Sequence, residues 1–188
     1  TIIASFEAGA VSYLYYADRI YQINLAIAGI AIGTVALPEL SKKIKMGNWK
    51  EAHKIQNRSL ELCLLLSVPA CFGLAIASEE ITNALFGYGS FLKKDVISTA
   101  EALKYFGYGV PAFALIKVLS NLFFARDNTR FPFYISFFSV LLNVLISLMY
   151  FKKIGFVIIP IATSIATWVA VLIYVILLIL QPIGLYLR

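Results

Sequence analysis

The side chains that could do chemistry in this chain are few, and most of them interrupt long apolar stretches. The first is Arg19, in the run Tyr15-Tyr-Ala-Asp-Arg-Ile-Tyr-Gln22. On a helix, Arg19 shares a face with Tyr15, Tyr16 and Gln22, which lie three or four positions away. Its neighbour Asp18 points about 100° away from it.

A guanidinium beside hydroxyl and amide groups suits a phosphate-bearing ligand, because its N–H groups form a fork that matches phosphate oxygens. The same residues would instead anchor the helix at the interface if it enters a membrane at Ile20. The residues alone leave both interpretations open.

A second cation, Lys117, lies fourteen residues into another apolar stretch that begins at Leu103. There it could bind an anionic group, pair with an acidic residue of another helix, or snorkel toward the interface. Neutral polar residues repeat at one-turn spacing, Asn143 with Ser147 and Thr163 with Thr167. Hydrogen bonding between helices is the usual role of such residues, and cation coordination by their oxygens is the alternative.

Signatures of enzymes are nearly absent from the sequence. Its single histidine, His53, lies in a basic segment, so the sequence offers no His-based metal cluster and no catalytic triad. No glycine-rich phosphate loop precedes a helix, and no His-Glu-x-x-His motif occurs. A transporter needs none of these groups, so no enzymatic activity is expected.

The bulk composition indicates which elements must position these residues. Of 188 residues, 61% are hydrophobic and 14% are charged, with a mean hydropathy of +0.85. A soluble domain has about 45–50% apolar and about 25% charged residues. Because the apolar runs are continuous rather than alternating, we predict an all-α polytopic membrane protein. Five spans are predicted, over residues 8–40, 60–78, 103–125, 131–151 and 156–180, and residues 1–6 resemble the tail of a further span.

The basic residues predict the orientation of these spans. Residues 41–59 carry six Lys or Arg residues, residues 125–130 carry two, and Arg188 adds one, against five on the opposite side. This bias assigns the first group to the cytoplasm, so the net charge of +6 is a topology signal rather than a nucleic-acid footprint. Residues 41–59 are predicted to form a cytoplasmic loop. Within it, Trp49 to Arg58 could form a short amphipathic helix on the membrane surface or a solvated connector.

Several segments resemble a known family. Gly9-Ala-Val-Ser-Tyr-Leu-Tyr-Tyr-Ala-Asp-Arg-Ile-Tyr-Gln22 is followed by Gly29-Ile-Ala-Ile-Gly-Thr-Val-Ala-Leu-Pro-Glu-Leu-Ser41. Val110-Pro-Ala-Phe-Ala-Leu-Ile-Lys-Val-Leu119 leads into Phe123-Phe-Ala-Arg-Asp-Asn-Thr-Arg-Phe-Pro132. These runs resemble the MurJ (MviN) family of lipid II flippases, in the multidrug/oligosaccharidyl-lipid/polysaccharide exporter superfamily. The resemblance covers essentially the whole chain and implies one lobe of that fold, from the end of the seventh helix through the twelfth. We therefore expect a fragment of a longer protein.

The resemblance implies transport of lipid II, the lipid-linked peptidoglycan precursor, from the inner to the outer leaflet of the bacterial cytoplasmic membrane by alternating access. It implies that Arg19 faces a central cavity and binds the diphosphate of the ligand. The other residues of the predicted cavity site are Tyr15, Tyr16, Asp18, Gln22 and Lys117. The expected partners are lipid II and membrane lipids, without nucleic acid.

The resemblance also raises the question of sodium, which some members bind. Asn143 and Thr163 match two of those ligand positions, but Ser147 stands where those members have an acid. Gln22 likewise stands where some members have an acid. These departures argue against a complete sodium site, and no other cofactor is expected.

Three alternatives remain open from the sequence. An exporter of the same superfamily with another cargo, such as an O-antigen lipid or a drug exchanged for a cation, would share these helices. A membrane-embedded scaffold of cell-wall synthesis would tolerate Arg19→Ala, whereas a cavity arginine would not. A membrane enzyme acting on lipid phosphates is disfavoured by the missing catalytic groups.

Overall fold

The computed structural model describes Ala4, Glu7 and residues 9–180, and it is helical almost throughout. Helix α1 (Ala10–Leu25) continues through a π-helical segment (Ala26–Ala31) into α2 (Ile32–Lys45). The remaining helices are α3 (Trp49–Ile76), α4 (Ser78–Phe86), α5 (Lys93–Phe124), α6 (Arg130–Ile154) and α7 (Ile158–Leu180). A 3-10 turn (Gly155–Val157) precedes α7. Apart from Ala4, the predicted span tail at residues 1–6 lies outside the described residues, as does Arg188.

Four stretches of helix are long and apolar enough to cross a membrane, namely residues 10–45, 49–76, 93–124 and 130–180. The last is divided at Gly155, whose φ of +78° begins the 3-10 turn. Ser139 Oγ donates to Ala166 O, and Asn143 Nδ2 donates to Thr163 Oγ1. This pairing shows that α6 and α7 run antiparallel, so the described residues form five helical crossings. The predicted all-α polytopic fold is confirmed.

Helix α5 lies at the centre of the bundle and contacts every other helix of the described residues. At 32 residues it is about 48 Å long, and most of its side chains from Val96 to Phe123 are buried. Glycines allow its closest crossings. A methyl group at Gly107 would lie 2.8 Å from Leu74 Cβ on α3. Small residues of this kind let membrane helices approach each other closely.

Polar side chains of α7 bond the backbone of α5. Ser164 Oγ donates to Tyr105 O at 2.7 Å, and Trp168 Nε1 donates to Tyr108 O at 3.0 Å. Both bonds join polar groups that would otherwise be costly to leave unpaired in hydrocarbon. They therefore fix the register of α7 against α5.

Helices α1 and α2 run parallel to α5. Near their first residues, Tyr13 OH donates to Asp95 Oδ1 at 2.7 Å. Further along, Asn121 Nδ2 donates to Gly33 O at 2.8 Å. The π-helical segment lies between these contacts and brings Gly29 onto α5, where a methyl group would lie 3.1 Å from Ala114 Cα.

The prediction of a loop over residues 41–59 is wrong, because most of these residues are helical. Helix α2 continues to Lys45, a turn at residues 46–48 uses Gly47 at φ +70°, and α3 begins at Trp49. Asn48 caps α3, because its Oδ1 accepts the backbone N–H of Glu51 at 3.3 Å. The segment from Trp49 to Arg58 is therefore the first part of α3 and not a separate surface helix. At 28 residues, α3 is about 42 Å long, so a hydrocarbon layer of about 30 Å leaves its polar first turns outside.

Basic residues collect at one end of the bundle, which we call the basic end. It contains the turn between α2 and α3 and the connection between α5 and α6. Its Lys and Arg residues are Lys42, Lys43, Lys45, Lys50, Lys54, Arg58, Arg126 and Arg130. That the basic end faces the cytoplasm remains a prediction from the charge bias.

The close packing of α3 on α5 predicts opposite changes in stability when two glycines are replaced by alanine. Gly107→Ala is expected to destabilise the protein by about 1–3 kcal/mol, because the new methyl group would overlap Leu74 Cβ. Gly73→Ala is the matched control, since nothing lies within 4 Å of its added methyl group and alanine favours a helix over glycine by about 1 kcal/mol. Thermal unfolding of the purified full-length protein in detergent measures both. Equal melting temperatures for the two variants would contradict the packing.

Candidate functional site

Arg19 lies in the second half of α1 with its side chain exposed. Its Nη2 donates to Tyr15 OH at 2.9 Å, and its Cζ lies 4.8 Å from the centroid of the Tyr15 ring. The one-turn spacing of the two residues produces this contact, to which the ring adds a cation–π attraction. The one ion pair among the described residues is Arg58–Glu61, so no carboxylate there is in direct contact with Arg19. Tyr15 thus holds the guanidinium in place while its other N–H groups stay available to an anion.

The other predicted neighbours of Arg19 make different contacts. The ring of Tyr16 packs on Phe86 and Phe91, with centroid distances of 4.8 and 5.3 Å. Gln22 Nε2 donates to Asp18 Oδ2. Of the predicted set, the structure therefore brings only Tyr15 into contact with Arg19. Gln22 and Asp18, which are one turn apart on the same helix, form a separate pair.

The exposed side of α1 continues through the π-helical segment into α2. Exposed residues recur every three or four positions, at Tyr15, Arg19, Ile23, Ala26, Ile30 and Thr34. Ile30 and Thr34 form one wall of a groove of about 420 Å³, and Lys117 lines the opposite wall on α5. We call this the Lys117 groove.

Arg19 and Lys117 lie along one exposed surface but far apart. A methyl group at Gly29 would lie 3.5 Å from Lys117 Cγ, which places Lys117 beside the π-helical segment. Gly29 is ten positions beyond Arg19, or about 15 Å along the helix. The two cations therefore do not form one contact site, and a ligand that uses both must extend or move along the surface.

Lys117 is exposed to its groove rather than enclosed in the core. The sequence left open whether it pairs with an acid, and among residues 9–180 it forms no ion pair. The groove also contains the hydroxyl groups of Thr34, Ser120 and Ser136 between apolar walls. One cation, hydroxyl groups and apolar walls together suit an anionic group that is attached to an apolar chain.

A second groove, of about 600 Å³, continues from the Lys117 groove toward the basic end. The two share Phe124, Pro132 and Ser136, and the second contains Arg130. Sequence reasoning did not single out Arg130, Ser136 or Thr34 as site residues. Only the packing of α2, α5 and α6 aligns them with Lys117, and no local pattern signals that alignment.

The predicted cation ligands Asn143 and Thr163 meet between α6 and α7. Asn143 Nδ2 donates to Thr163 Oγ1 at 2.7 Å, and Thr163 Oγ1 donates to Ile159 O at 2.7 Å. The Thr163 hydroxyl thereby uses its proton and one lone pair in these two bonds. This geometry is the hydrogen bonding between helices that is usual for such residues.

Sodium fits this arrangement poorly. Ser147, one turn from Asn143, is buried and its hydroxyl has no partner among the described residues, so it could supply a further oxygen. However, residues 130–180 contain no Asp or Glu. The carboxylate that reaches the hairpin, that of Glu7, accepts the N–H of Phe156 at 2.9 Å, seven residues before Thr163, and so does not join Asn143 and Thr163 as a charged cation ligand. For one ion to contact both Asn143 and Thr163, the amide of Asn143 would have to turn so that its oxygen replaces the N–H that now donates to Thr163 Oγ1. The residues present therefore do not fit a sodium ion.

A family model described as Lipid II flippase MurJ matches residues 1–184. The chain belongs to the MurJ family. A MurJ relative from Rickettsia prowazekii, named probable lipid II flippase MurJ, is 43% identical over 166 residues, which cover 88% of this chain and 33% of the relative. A relative of the same name from Rhizobium meliloti is 44% identical over 169 residues, covering 90% and 32%. The chain spans about a third of the length of the curated relatives that it matches.

A solved MurJ structure has the same fold. Titled lipid II flippase MurJ in an inward closed conformation, it matches with a TM-score of 0.85 at 28% identity, over 95% of this chain and 38% of that one. The family resemblance drawn from the sequence motifs is thereby confirmed. The match and the apolar helices together establish a multi-pass membrane protein.

Water access along the exposed surface of this MurJ-family chain is testable by thiol labelling. In a full-length protein with Cys63 and Cys71 replaced by alanine, Arg19→Cys and Lys117→Cys are expected to react readily with a water-soluble maleimide, because charged side chains at these positions need water. Val140→Cys on α6, 63% exposed but lining neither groove, is the matched control and should react slowly. Slow reaction at all three positions would contradict a water-lined surface.

Proposed function

We propose that this chain is part of a lipid II flippase in the bacterial cytoplasmic membrane, which carries the precursor from the inner to the outer leaflet. The names of its relatives and of the matching solved structure support this proposal, since each is a MurJ named for lipid II flipping. Lipid II joins a polyprenyl chain to a muropeptide through a diphosphate. A surface that binds it needs cations beside apolar walls.

The observation that carries the proposal is the unpaired guanidinium of Arg19 on the exposed side of α1. It donates to Tyr15 OH and forms no ion pair among the described residues. In the proposed function, its remaining N–H groups donate to the diphosphate oxygens. Tyr15 limits the rotamers of Arg19, so less entropy is lost when the anion binds.

Lys117 supplies a second cation for the same headgroup, nearer the basic end. Its groove has Ile30 and Thr34 as one wall and continues into the second groove, which contains Arg130. The headgroup can therefore exchange one charge-assisted contact for another along the surface, without enclosure at either.

The helix between the two cations has the features of a hinge. The π-helical segment Ala26–Ala31 departs from α-helical bonding, as functional sites in helices often do. In the proposed alternating access, bending here changes the separation between Arg19 and the part of α2 that Asn121 holds against α5.

Restoration of growth to a flippase-depleted bacterium tests the proposal. The full-length protein is expected to restore growth. Arg19→Ala is expected to lower transport about tenfold to a hundredfold, because this is the change in affinity that the loss of one charge-assisted hydrogen bond causes. Arg19→Lys should restore part of the activity, because lysine keeps the charge but not the fork. Lys104→Ala is the matched control, since Lys104 is an exposed cation on α5 that lines neither groove.

Two outcomes would contradict the proposal. A wild-type protein that inserts normally but fails to restore growth, while it exports another polyprenyl-linked cargo, would indicate a different exporter. An Arg19→Ala variant with full activity would indicate that Arg19 is an interfacial anchor or that the chain acts as a scaffold. Membrane insertion of every variant is measured in parallel.

A further inference from the structure

A third cavity lies on the other side of α2 from the Lys117 groove. It has a volume of about 1460 Å³ and lies between the π-helical segment and α2 on one wall and the first half of α3 on the other. It shares no lining residue with the Lys117 groove. We call it the α2–α3 groove, and neither Arg19 nor Lys117 lines it.

The polarity of the α2–α3 groove changes along its length. Away from the basic end its walls are apolar, with Ile27 and Val35 facing Leu62 and Leu66. Toward the basic end they carry charged residues of α3. Because the polar first turns of α3 project beyond the hydrocarbon layer, the charged part lies at headgroup level and the apolar part at the level of acyl chains. A phospholipid has the same order of groups.

The charges on the two walls of the groove differ in sign. On α3, Lys50, Lys54 and Arg58 recur at four-residue spacing and form a stripe of cations. Like charges at this spacing destabilise a helix unless an anion lies between them. On the facing wall, α2 contributes the carboxylate of Glu39, which forms no ion pair among the described residues.

The remaining acids of the groove have roles within α3 itself. Glu61 pairs with Arg58 at 3.4 Å, and both side chains are largely exposed, so the pair leaves most of the guanidinium free. Glu51 lies in the first turn of α3, where the helix dipole favours a carboxylate. Glu39 is thus the acid that faces the cationic stripe from the opposite wall.

We propose that the α2–α3 groove binds a phospholipid whose headgroup joins a phosphate to a primary ammonium, as in phosphatidylethanolamine. The phosphate lies against Lys54 and Arg58, the ammonium against Glu39, and an acyl chain between Val35 and Leu66. A diphosphate-linked cargo lacks an ammonium beside its phosphates, so Glu39 would repel it. The site is therefore separate from the proposed cargo surface and independent of it.

Lipid retention by the purified full-length protein tests this proposal. The protein in detergent is incubated with equal amounts of dioleoyl phosphatidylethanolamine and dioleoyl phosphatidylglycerol, and native mass spectrometry counts the lipids retained. The wild type is expected to favour phosphatidylethanolamine. Lys54→Gln combined with Arg58→Gln should reduce retention of both lipids by at least about tenfold, because the loss of even one charge-assisted bond lowers affinity about tenfold to a hundredfold. Glu39→Gln should remove the preference and leave phosphatidylglycerol bound.

Two further variants separate this site from general effects of charge or folding. Lys42→Gln combined with Lys45→Gln removes two exposed cations of the basic end that do not line the groove, and it should retain lipid like the wild type. Ala31→Phe fills the apolar part and should reduce retention of both lipids without loss of thermal stability.

Three outcomes would overturn the proposal. They are equal retention of the two lipids by the wild type, unchanged retention in the Lys54 and Arg58 variant, and displacement of the bound phospholipid by a polyprenyl diphosphate.

Discussion

The hydrocarbon of a bilayer offers no partner to a peptide group, so every N–H and C=O within it must be bonded inside the protein. Continuous helices meet this requirement, and the polar side chains of the spans reinforce it. Asn121 bonds the carbonyl of Gly33, Ser164 that of Tyr105, and Trp168 that of Tyr108. These three side chains thus bond the backbone of a neighbouring helix. Arg19 and Lys117 are not used in such bonds between helices.

The same requirement explains why α5 lies at the centre. Helices in lipid gain little from the hydrophobic effect and associate instead through close packing and hydrogen bonds between them. Gly107 lets α3 approach the backbone of α5, and Gly29 lets the π-helical segment do so. These contacts fix the wall that carries Lys117, so the candidate site depends on glycines that bear no functional group.

The five crossings could be predicted from the sequence because each needs only an apolar run of sufficient length. The helix ends could not, since Asn48 and Gly47 place the start of α3 well before its apolar part begins. Within the site, one-turn spacing predicted the contact of Tyr15 with Arg19. The place of Tyr16 could not be predicted, because Phe86 and Phe91 come from another part of the chain. The groove around Lys117 likewise needs Thr34 and Ser136, which only tertiary packing brings together.

The separation of Arg19 from Lys117 suits a carrier better than a receptor. A pocket that placed both cations on one diphosphate would add two charge-assisted contacts, about 3–6 kcal/mol in total, and would hold the headgroup too tightly for rapid release. Because Lys117 lies beside Gly29, about 15 Å along the helix from Arg19, the headgroup of the proposed cargo would gain one contact as it loses the other. In the proposed transport, the free energy of the headgroup would then vary little along the surface. A bend at the π-helical segment would be sufficient to favour one cation over the other, since a small difference in affinity shifts a nearly balanced equilibrium.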